Sequence, residues 1–312
     1  MVKSVLVTGA TGFIGAKVVL ALRSKGYSVY IRQPDIEPIS PSQKLDRALS
    51  DTASILGENK IDAVVHLAAI NSSSVNGIDA ALLRRVNVDF TKHLAETCVV
   101  SGVRRFVQLS TAKVLGEGGS GVYSESSRIS PQDDYAQSKA DAEIELFNLA
   151  RHSSMDVVIL RPPIVYGPSG GPNFLKLFGL VERGIPLPLG KVGNRRSFIF
   201  IDNLVDAIML SIQHSAGVNQ TYMLSDGCVV STPELIMSIA HELRLRARLF
   251  DFPVSVLTFL AKLLRREKLA QSLLNSFEID DSKIRRELGW IPPYSFEDGL
   301  RATATWYRNP LP

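Results

Sequence analysis

The first fifteen residues contain an apolar run, a glycine-rich turn and the start of a helical pattern. Residues 5–7 are typical of a strand that is buried on both faces of a parallel sheet. Gly9, Gly12 and Gly15 then recur at every third residue, where the apolar period becomes helical. The first glycine permits a sharp turn, the second the approach of a pyrophosphate, and the third close helix–strand packing. Because a helix N-terminus attracts anions, the segment predicts a loop that holds the phosphates of a nucleotide.

The composition predicts a globular chain with a large apolar core. Of its 312 residues, 45% are hydrophobic and 21% are charged, which is enough for one large or two modest domains. The formal net charge of +4 suits an anionic small substrate, and the basic residues form no stripe interleaved with aromatic residues, so we expect no nucleic-acid partner. Cys98 and Cys228 form no metal-binding or redox motif, which favours a reducing compartment and predicts no metal site.

No segment of the sequence has the length and composition of a membrane span or a signal peptide. The N-terminus continues directly into the first strand, and no apolar run approaches about 20 residues, so we expect a cytoplasmic location. The longest apolar candidate is residues 254–264, which Lys262 interrupts and Arg265, Arg266 and Lys268 follow. This segment is compatible with a membrane surface or a partner, but we favour a helix that covers the substrate cleft.

Short apolar runs alternate with longer amphipathic stretches along the first half of the chain, which is the pattern of a doubly wound parallel α/β sheet. After the first strand, the predicted strands are residues 29–31, 63–67, 106–109 and 157–160. The predicted helices between them include residues 81–101 and 134–152, where apolar side chains keep helical spacing. The sequence therefore predicts a Rossmann fold, in which ligands bind at the carboxyl edge of the sheet.

After Arg161 the sequence becomes rich in proline and glycine, which predicts loops that fold over this edge and begin a second lobe. Residues 197–201 are then predicted as a strand with which the chain returns to the sheet. We assign two parts of the chain to a dinucleotide-binding domain and the rest to a smaller, mostly C-terminal α/β substrate lobe. The domain comprises residues 1–165 and about 196–228, and the lobe about 166–195 and 229–312.

Three later helices have recognisable N-terminal signals. Asp202 is predicted to cap the helix that follows the strand at residues 197–201. Thr232 is predicted to cap the next helix, with proline at its first helical position. Ser295 and Asp298 have the spacing of a capping box for the last helix.

The chemical candidates lie on the second half of the predicted sheet. Thr111 follows the strand at residues 106–109, and Tyr135 and Lys139 share one face of the next helix. A free tyrosine with a pKa of about 10 is a poor base, but an adjacent ammonium favours its phenolate. We predict that Tyr135 moves a proton, that Thr111 hydrogen-bonds the reacting oxygen, and that a hydride passes to or from a nicotinamide. The alternative is an exposed tyrosine and lysine on an amphipathic helix.

Several segments spread over the chain resemble the extended short-chain dehydrogenase/reductase superfamily, and within it the NAD(P)-dependent nucleotide-sugar epimerase/dehydratase family. They are Thr8-Gly-Ala-Thr-Gly-Phe-Ile-Gly15, His66-Leu-Ala-Ala69, Ser110-Thr-Ala112, Tyr135-Ala-Gln-Ser-Lys139, Arg161-Pro-Pro-Ile-Val-Tyr-Gly-Pro168, Arg196-Ser-Phe-Ile-Phe-Ile-Asp-Asn203 and Leu288-Gly-Trp290. The resemblance implies that Thr111, Tyr135 and Lys139 are the catalytic residues, and that Lys139 also holds the cofactor ribose.

The same resemblance implies the groups that bind an NAD(P) cofactor. They are Gly9, Thr11, Gly12, Phe13, Ile14, Gly15, Leu67, Ala68, Ala69, Tyr135, Lys139, Pro162 and Ile164. Arg32 stands at the end of the second strand, where an arginine suits the 2′-phosphate of NADP and an acid suits NAD. No acid precedes Asp35 there, so the sequence slightly favours NADP(H) over NAD(H), unless Arg32 is simply exposed.

Asn173 and Arg196 match the positions at which the family binds the nucleotide diphosphate, since an amide and a guanidinium suit phosphate oxygens. The alternatives are a helix cap for Asn173 and an exposed arginine for Arg196. Lys113 is close enough to the catalytic threonine to touch the substrate, although a solvated lysine explains it nearly as well. His66 is interpreted as a satisfied core histidine. Asn87 either supports the cofactor through water or lies on the helix surface.

Finer details resemble bacterial surface-polysaccharide reductases of UDP-4-keto-6-deoxy-N-acetylhexosamines. The segments concerned are Lys113-Val-Leu-Gly-Glu117, Pro186-Leu-Pro-Leu-Gly190, Asn194-Arg-Arg-Ser197, and Ser225-Asp-Gly227 with Ser231-Thr232. We therefore predict NAD(P)H-dependent reduction of the C4 ketone of such a UDP-sugar in O-antigen synthesis.

Two alternatives to the reductase stay open. The first is a UDP-glucose or UDP-N-acetylglucosamine 4-epimerase with tightly bound NAD, which is weakened by Leu115-Gly116 where much of the epimerase branch has Tyr-Gly. The second, of another class, is a non-catalytic redox sensor, which would not need all three catalytic residues. The resemblance also implies a homodimer through the helices at residues 81–101 and 134–152.

Overall fold

The computed structural model describes residues 2–32, 41–71, 79–119, 121–170, 172–264 and 266–309, apart from the side chains of residues 41–44, 172–173 and 268–269. Within these ranges the strands are β1 (Ser4–Thr8), β2 (Ser28–Ile31), β3 (Ala63–His66), β4 (Arg105–Leu109), β5 (Val122–Tyr123), β6 (Asp156–Arg161), β7 (Ile164–Tyr166), β8 (Arg196–Phe200), β9 (Gln220–Met223), β10 (Val229–Val230) and β11 (Glu278–Ile279). The α-helices are α1 (Phe13–Ser24), α2 (Pro41–Glu58), α3 (Ala80–Arg84), α4 (Phe90–Val100), α5 (Asp134–Arg151), α6 (Pro172–Glu182), α7 (Ile201–Gln213), α8 (Thr232–Glu242), α9 (Val254–Leu263), α10 (Glu267–Leu274), α11 (Ser282–Leu288) and α12 (Phe296–Arg308).

Six parallel strands form the central sheet, in the order β2-β1-β3-β4-β6-β9. Every residue of β1 and β3 is buried. On one face Val5 packs in a cluster with Val18 of α1 and Leu204 of α7. On the other face Leu6 packs in a cluster with Leu146 of α5 and with side chains of α2 and α4. Helices thus cover both faces, which confirms the predicted doubly wound sheet.

The predicted return to the central sheet at residues 197–201 is wrong. These residues belong to β8 and the start of α7, and β8 pairs with β7 and β10 in a separate three-stranded sheet. The chain instead rejoins the central sheet at β9, where Gln220 pairs with Val158. Because β8 is buried along its whole length, its sequence pattern cannot be distinguished from that of a strand in the central sheet. The pattern therefore does not show which sheet the strand joins.

Two of the predicted helix caps are displaced by one or two residues. Helix α7 begins at Ile201, so Asp202 lies in its first turn, where its carboxylate pairs with Lys17 at 2.8 Å. Ser231, rather than Thr232, caps α8. Serine, threonine and aspartate are similar caps, so sequence alone does not decide between neighbouring candidates.

The other helix predictions agree better with the structure. The capping box of Ser295 and Asp298 at the start of α12 is confirmed. The helix predicted at residues 134–152 is α5, but the helix predicted at 81–101 is divided into α3 and α4 by a π-helical turn, Arg85–Asp89. None of the helices within the described ranges combines the length and the apolar character needed to cross a bilayer.

Candidate active site

A glycine-rich loop joins the end of β1 to the N-terminus of α1. Gly9 has a φ of +69°, and a Cβ there would lie 2.7 Å from the backbone nitrogen of Ala68. A Cβ on Gly15 would lie 2.0 Å from the carbonyl oxygen of Gly9, so both positions require glycine. Gly12 is the N-cap of α1 and offers no side-chain acceptor. The first N–H groups of α1 are therefore the donors that an anion would use.

The other residues predicted to line the cofactor cleft lie around this loop, at the carboxyl edge of the sheet. Leu67 and Ala68 follow β3 directly, and the N–H of Leu67 donates to the last carbonyl of β1 over 3.2 Å. Pro162 follows β6, and its carbonyl accepts a hydrogen bond from the N–H of Ala112 over 2.9 Å. Ile164 is the first residue of β7. The chain thus brings the ends of β1, β3, β4 and β6 to one cleft.

Phe13 connects the glycine loop to the segment that follows β7. A Cβ on Gly170 would lie 1.8 Å from a carbon of the Phe13 ring, so the ring packs directly on the glycine backbone. Phe13 and Ile14 are half-buried, whereas Thr11 and Ala69 are exposed. The loop from Gly9 to Gly15 therefore has one side against the sheet and one side open.

Thr111, Tyr135 and Lys139 come from two neighbouring elements. Thr111 follows β4 and caps a short 3₁₀ turn, where its Oγ1 accepts a hydrogen bond from the N–H of Lys113 over 3.3 Å. This turn packs against α5. The side chain of Asp133 caps α5, which places Tyr135 in its first turn and Lys139 one turn later on the same face. The fold thus brings the three predicted catalytic residues to the same part of the sheet edge.

Burial determines the charge states of Tyr135 and Lys139. Burial, with a smaller effect of the negative charge of Asp133, raises the pKa of Tyr135 to about 12. Burial lowers the pKa of Lys139 to about 8, although Glu143 opposes this shift. In the chain itself the pKa of this tyrosine is therefore raised, in the direction opposite to the one that we expected from a nearby ammonium. At neutral pH Tyr135 carries its proton and Lys139 is mostly charged.

A buried ion pair lies one turn beyond Lys139 on α5. Glu143 accepts hydrogen bonds from both Nε and Nη2 of Arg161, the first over 3.0 Å, and from the hydroxyl of Ser110. All of these side chains are buried. The Glu143 carboxylate therefore joins α5 to the ends of β4 and β6 and balances two buried cations, Arg161 and Lys139.

A second polar network includes the end of β3. His66 is completely buried, with Nδ1 2.6 Å from the hydroxyl of Thr8 and Nε2 2.9 Å from the hydroxyl of Thr91. Because Thr91 donates to the carbonyl of Asn87, it accepts from His66 Nε2–H, and Nδ1 accepts from Thr8. Burial and the nearby charge of Lys139 lower the pKa of His66 to about 3. His66 is thus neutral and fully hydrogen-bonded, as a core histidine should be.

Asn87, in the π-helical turn, ties the loop after β3 to α5. Its Oδ1 accepts from the N–H of Ile70, and its Nδ2 donates to the carbonyl of Ile70 and to the hydroxyl of Ser138, each over 2.9 Å. Ser138 donates in turn to the carbonyl of Tyr135 over 2.8 Å. Asn87 is buried and so is not a residue of the helix surface, and its contacts hold the first turn of α5 in place.

Two of the three predicted substrate-binding residues lie on either side of one carboxylate. Oε1 of Glu117 lies 3.7 Å from Lys113 Nζ and 4.0 Å from Arg196 Nη2. Arg196 is buried and donates from Nη1 to the carbonyl of Asn275 over 3.0 Å, while its Nε has no hydrogen-bond partner among the described residues. A phosphate oxygen would accept the hydrogen bond that Nε of this guanidinium can still donate. The side chain of Asn173 lies outside the described part of the chain.

Arg32, the predicted contact for the 2′-phosphate of NADP, is not simply exposed. It follows β2, and its Nε donates to the carboxylate of Asp51 in α2 over 2.9 Å. A phosphate group at this position would therefore compete with Asp51 for the guanidinium.

Comparison with known proteins identifies the kind of chain to which this site belongs. Residues 5–224 match the model of the NAD dependent epimerase/dehydratase family. The chain belongs to this family. A UDP-glucose 4-epimerase of Vibrio cholerae is 37% identical to it over 318 residues, which cover 97% of this chain and 95% of the relative.

Solved structures of other proteins have the same fold as this chain. The UDP-glucose 4-epimerase of Thermotoga maritima superposes with a TM-score of 0.78 at 22% identity, and 98% of each chain is covered. MoeE5, solved in complex with UDP-glucose and NAD, superposes with a TM-score of 0.75 at 26% identity, again with 98% of each chain covered. The Rossmann-like α/β fold is thus common to this chain and both structures.

The sequence predicted no role for Glu143 or Glu117 in this epimerase/dehydratase, although Glu117 ends one of the segments that resemble the polysaccharide reductases. Glu143 follows Lys139 by four residues, the same spacing that places Lys139 after Tyr135, so a search for charged residues along that helix face would have found it. Glu117 has no such signal, because its neighbour Arg196 is brought to it only by the packing of β8.

Proposed function

We propose that this chain is a 4-epimerase of a UDP-linked hexose that works with NAD(H). The similarity to the Vibrio cholerae relative supports this reaction. That protein is named UDP-glucose 4-epimerase, and it is 37% identical to this chain over nearly the whole of both chains. The site agrees with such a reaction, because a threonine hydroxyl, a tyrosine and a buried lysine come together at the sheet edge where the glycine loop also lies. UDP-glucose and NAD are also the ligands in the MoeE5 complex.

The residues present fit an NAD molecule in the cleft. The loop from Gly9 to Gly15 and the N-terminus of α1 would bind its pyrophosphate, while Leu67, Ala68, Pro162 and Ile164 would contact the rest. The bound nicotinamide supplies the acceptor and donor of a hydride at C4 of the sugar.

The protein groups would then move the proton of the C4 oxygen. Tyr135 Oη takes this proton when the alcohol is oxidised and returns it when the ketone is reduced. Thr111 Oγ1 hydrogen-bonds the same oxygen and orients it. The ammonium of Lys139 would stabilise the Tyr135 phenolate, which accepts the proton in the oxidation direction and is left behind when the proton is returned to the ketone, and Glu143 balances that ammonium inside the protein.

The residues beside Thr111 favour simple oxidation and reduction over dehydration. Elimination of water from a sugar requires a further acid and base next to the ring. The residues that follow Thr111 are Ala112, which is buried, and Lys113. The next carboxylate in the sequence, Glu117, lies between Lys113 and Arg196. Neither of the positions directly after Thr111 therefore supplies a carboxylate.

The second candidate is the reductase of a UDP-4-keto-6-deoxy-N-acetylhexosamine that the sequence predicts for O-antigen synthesis. Leu115-Gly116 and the segments around Lys113, Arg196 and Ser225 favour it. It would use the same proton donor, Tyr135, but would release the oxidised cofactor after each turnover. A non-catalytic redox sensor is less well supported, because the chain keeps all three residues of the proposed chemistry.

We expect any preference for NADPH to be small. Arg32 is still the group that would contact a 2′-phosphate, but this contact must compete with the carboxylate of Asp51 at 2.9 Å. Calorimetric titration with NADPH and NADH measures the preference. Affinity for NADPH more than about tenfold higher would show that Arg32 exchanges Asp51 for phosphate, since a tenfold ratio corresponds to about 1.4 kcal/mol.

The remaining assignments complete the proposal. Arg196 and Asn173 would bind the diphosphate of the UDP-sugar, and Lys113 would contact the sugar. We also propose a cytoplasmic location, with which the two free cysteines agree. The chain would form a homodimer through α3, α4 and α5, where Ile144 exposes an apolar side chain. Light scattering that gives the mass of a monomer would remove the dimer.

Product analysis tests the reaction directly. The purified protein is mixed with UDP-glucose or UDP-N-acetylglucosamine without added cofactor, and the sugar is followed by NMR. We expect conversion to the C4 epimer and release of NAD on denaturation of the protein. Stoichiometric oxidation of NADPH or NADH by UDP-4-keto-6-deoxy-N-acetylglucosamine, with no epimer formed, would instead establish the reductase. Cofactor binding with neither reaction would favour the redox sensor.

A further inference from the structure

Helix α9 exposes apolar side chains that a folded chain ordinarily buries. None of its residues is buried, although seven of the ten in VSVLTFLAKL are apolar and the polar ones are Ser255, Thr258 and Lys262. Phe259 is 66% exposed and Leu263 is 68% exposed. Leaving such side chains in water costs free energy unless something covers them.

The exposed side chains form one continuous strip. Val256, Phe259, Leu260 and Leu263 stand at positions i, i+3, i+4 and i+7, which face the same side of a helix, and Leu264 extends the strip at its end. Val254 and Leu257, on another side of α9, are half-buried against the main core. The fold therefore uses one apolar side of α9 and leaves a second one in solvent.

Positive charge accompanies this strip. Lys262 on α9 and Arg266 just after it are both exposed, and the sequence adds Arg265 between them. Residues 252–266 contain no aspartate or glutamate, and the nearest acidic residues in the sequence are Asp251 and Glu267 at the two ends of this range. An apolar strip with basic residues and no acidic ones is the composition of a helix that lies in the interface of a membrane containing anionic lipids.

We propose that α9 docks this protein on the surface of a membrane that contains anionic lipids. The phenylalanine and leucine side chains of the strip would enter the headgroup and acyl-chain boundary, and Lys262 and Arg266 would face the lipid phosphates. A second copy of the chain fits less well, because α9 carries no carboxylate that could pair with the Lys262 of a partner helix. Docking in the interface requires no membrane span.

Docking would place the proposed diphosphate site next to the membrane. Helix α9 packs against α10, and the carbonyls of Leu273 and Asn275 at the end of α10 both accept from the amide of Asn194 over 3.1 Å. Asn275 also accepts from Arg196 over 3.0 Å. The helix that would contact lipid therefore packs against the helix whose C-terminal end binds Arg196.

Co-sedimentation of the full chain with vesicles tests the docking. Vesicles of phosphatidylethanolamine and phosphatidylglycerol at 3:1 are compared with vesicles of phosphatidylcholine alone. We expect the protein to sediment with the first and at least about tenfold less with the second, and the binding to the first to fall with added salt. The double substitution Phe259→Ser with Leu263→Ser, and separately Lys262→Glu with Arg266→Glu, should each reduce binding about tenfold or more.

Matched controls distinguish binding through the α9 strip from non-specific binding of exposed side chains to vesicles. Leu20 on α1 is 65% exposed, nearly as much as Leu263, so Leu20→Ser should leave vesicle binding unchanged, as should Lys25→Glu. The proposal is overturned if wild-type protein sediments with neither vesicle, or if Leu20→Ser weakens binding as much as the α9 variant does. If the wild type does not bind vesicles and light scattering gives a lower mass for the α9 variant than for the wild type and the Leu20→Ser variant, the strip is covered by a second copy of the chain. A raised KM for the sugar in the α9 variant, again without vesicle binding, would make α9 a cover of the substrate cleft.

Discussion

Helices α5 and α9 depart from the usual distribution of polar and apolar residues in opposite directions. Helix α5 buries Ser138, Lys139 and Glu143, whereas α9 holds Phe259 and Leu263 in solvent. In α5 the cost of burying charge is offset by partners that the neighbouring strands supply, among them Arg161. In α9 about two thirds of the Phe259 and Leu263 side chains stays in water, and no contact among the described residues covers that surface.

This difference indicates whether each helix acts inside the fold or on its surface. Polar groups that are buried and paired within the chain serve an event inside the fold, here the proposed proton transfer at Tyr135. Apolar groups that the chain leaves uncovered serve an event outside it, here the proposed docking of α9. Both departures cost stability, so substitutions that restore the usual distribution should affect function and stability differently in the two helices.

The largest expected effect is on turnover, at the first turn of α5. Tyr135→Phe removes only the hydroxyl that carries the proton, so turnover should fall by about 10²–10⁴-fold while the cofactor still binds. Steady-state kinetics with the UDP-sugar, together with calorimetry for the nicotinamide cofactor, measures both quantities.

Tyr307→Phe is the matched control for this substitution. It removes a tyrosine hydroxyl that bonds Glu182 on the surface, far along the chain from the site. Its turnover should equal that of the wild type. Undiminished turnover in Tyr135→Phe would remove this tyrosine from the mechanism and leave Lys139 and Glu143 as a structural pair.

The next largest effect should be on stability, in the same helix. Glu143→Gln keeps the shape of the side chain but leaves Arg161 and Lys139 as two buried cations without a carboxylate. We expect a loss of about 3–5 kcal/mol in the free energy of unfolding, measured with urea.

Glu145→Gln tests whether this loss comes from burial. Glu145 lies two residues further along α5, and its carboxylate pairs with Lys92 at 3.0 Å in a more exposed position. Solvent screens such a pair, so its removal should change the stability little. Equal losses in the two variants would show that Glu143 is not the buried counter-ion of the site.

The sequence predicted the central sheet and brought the proposed catalytic residues to notice, because both depend on local patterns. The glycine spacing, the apolar strands and the interval from Tyr135 to Lys139 can all be read along the chain. It did not predict the bond of Glu143 to Arg161, eighteen residues apart, because that depends on how α5 packs on β6. For the same reason the apolar composition of residues 254–264 did not reveal that one side of α9 remains in solvent.

A smaller effect should appear as a pH dependence of stability. Burial lowers the pKa of Lys139 from 10.5 to about 8, so between these pH values the unfolded chain binds more protons than the folded one. The contribution of Lys139 to the free energy of unfolding therefore rises as the pH rises through this window. Below pH 8 this contribution stays at its lowest value. Relative to Lys139→Met, wild-type protein should gain about 3 kcal/mol across the window.

Urea unfolding at pH 7, 8, 9 and 10 measures this gain. Repeating the series in the Tyr135→Phe background removes the other titrating group of the site, and the gain should persist. A difference between wild type and Lys139→Met that does not change with pH would mean that Lys139 has an ordinary pKa and is more hydrated than its burial indicates.

The smallest expected effect belongs to α9 and completes the comparison. Leu263→Ala truncates a side chain that is mostly exposed to water in the folded chain as well as in the unfolded one. The free energy of unfolding should therefore change by less than about 0.5 kcal/mol. Leu146→Ala makes the same chemical change in α5, where the side chain is completely buried, and should cost about 2–5 kcal/mol. If Leu263→Ala were as costly as Leu146→Ala, α9 would be packed against this chain or a second copy in solution, and its apolar strip would not be available to a membrane.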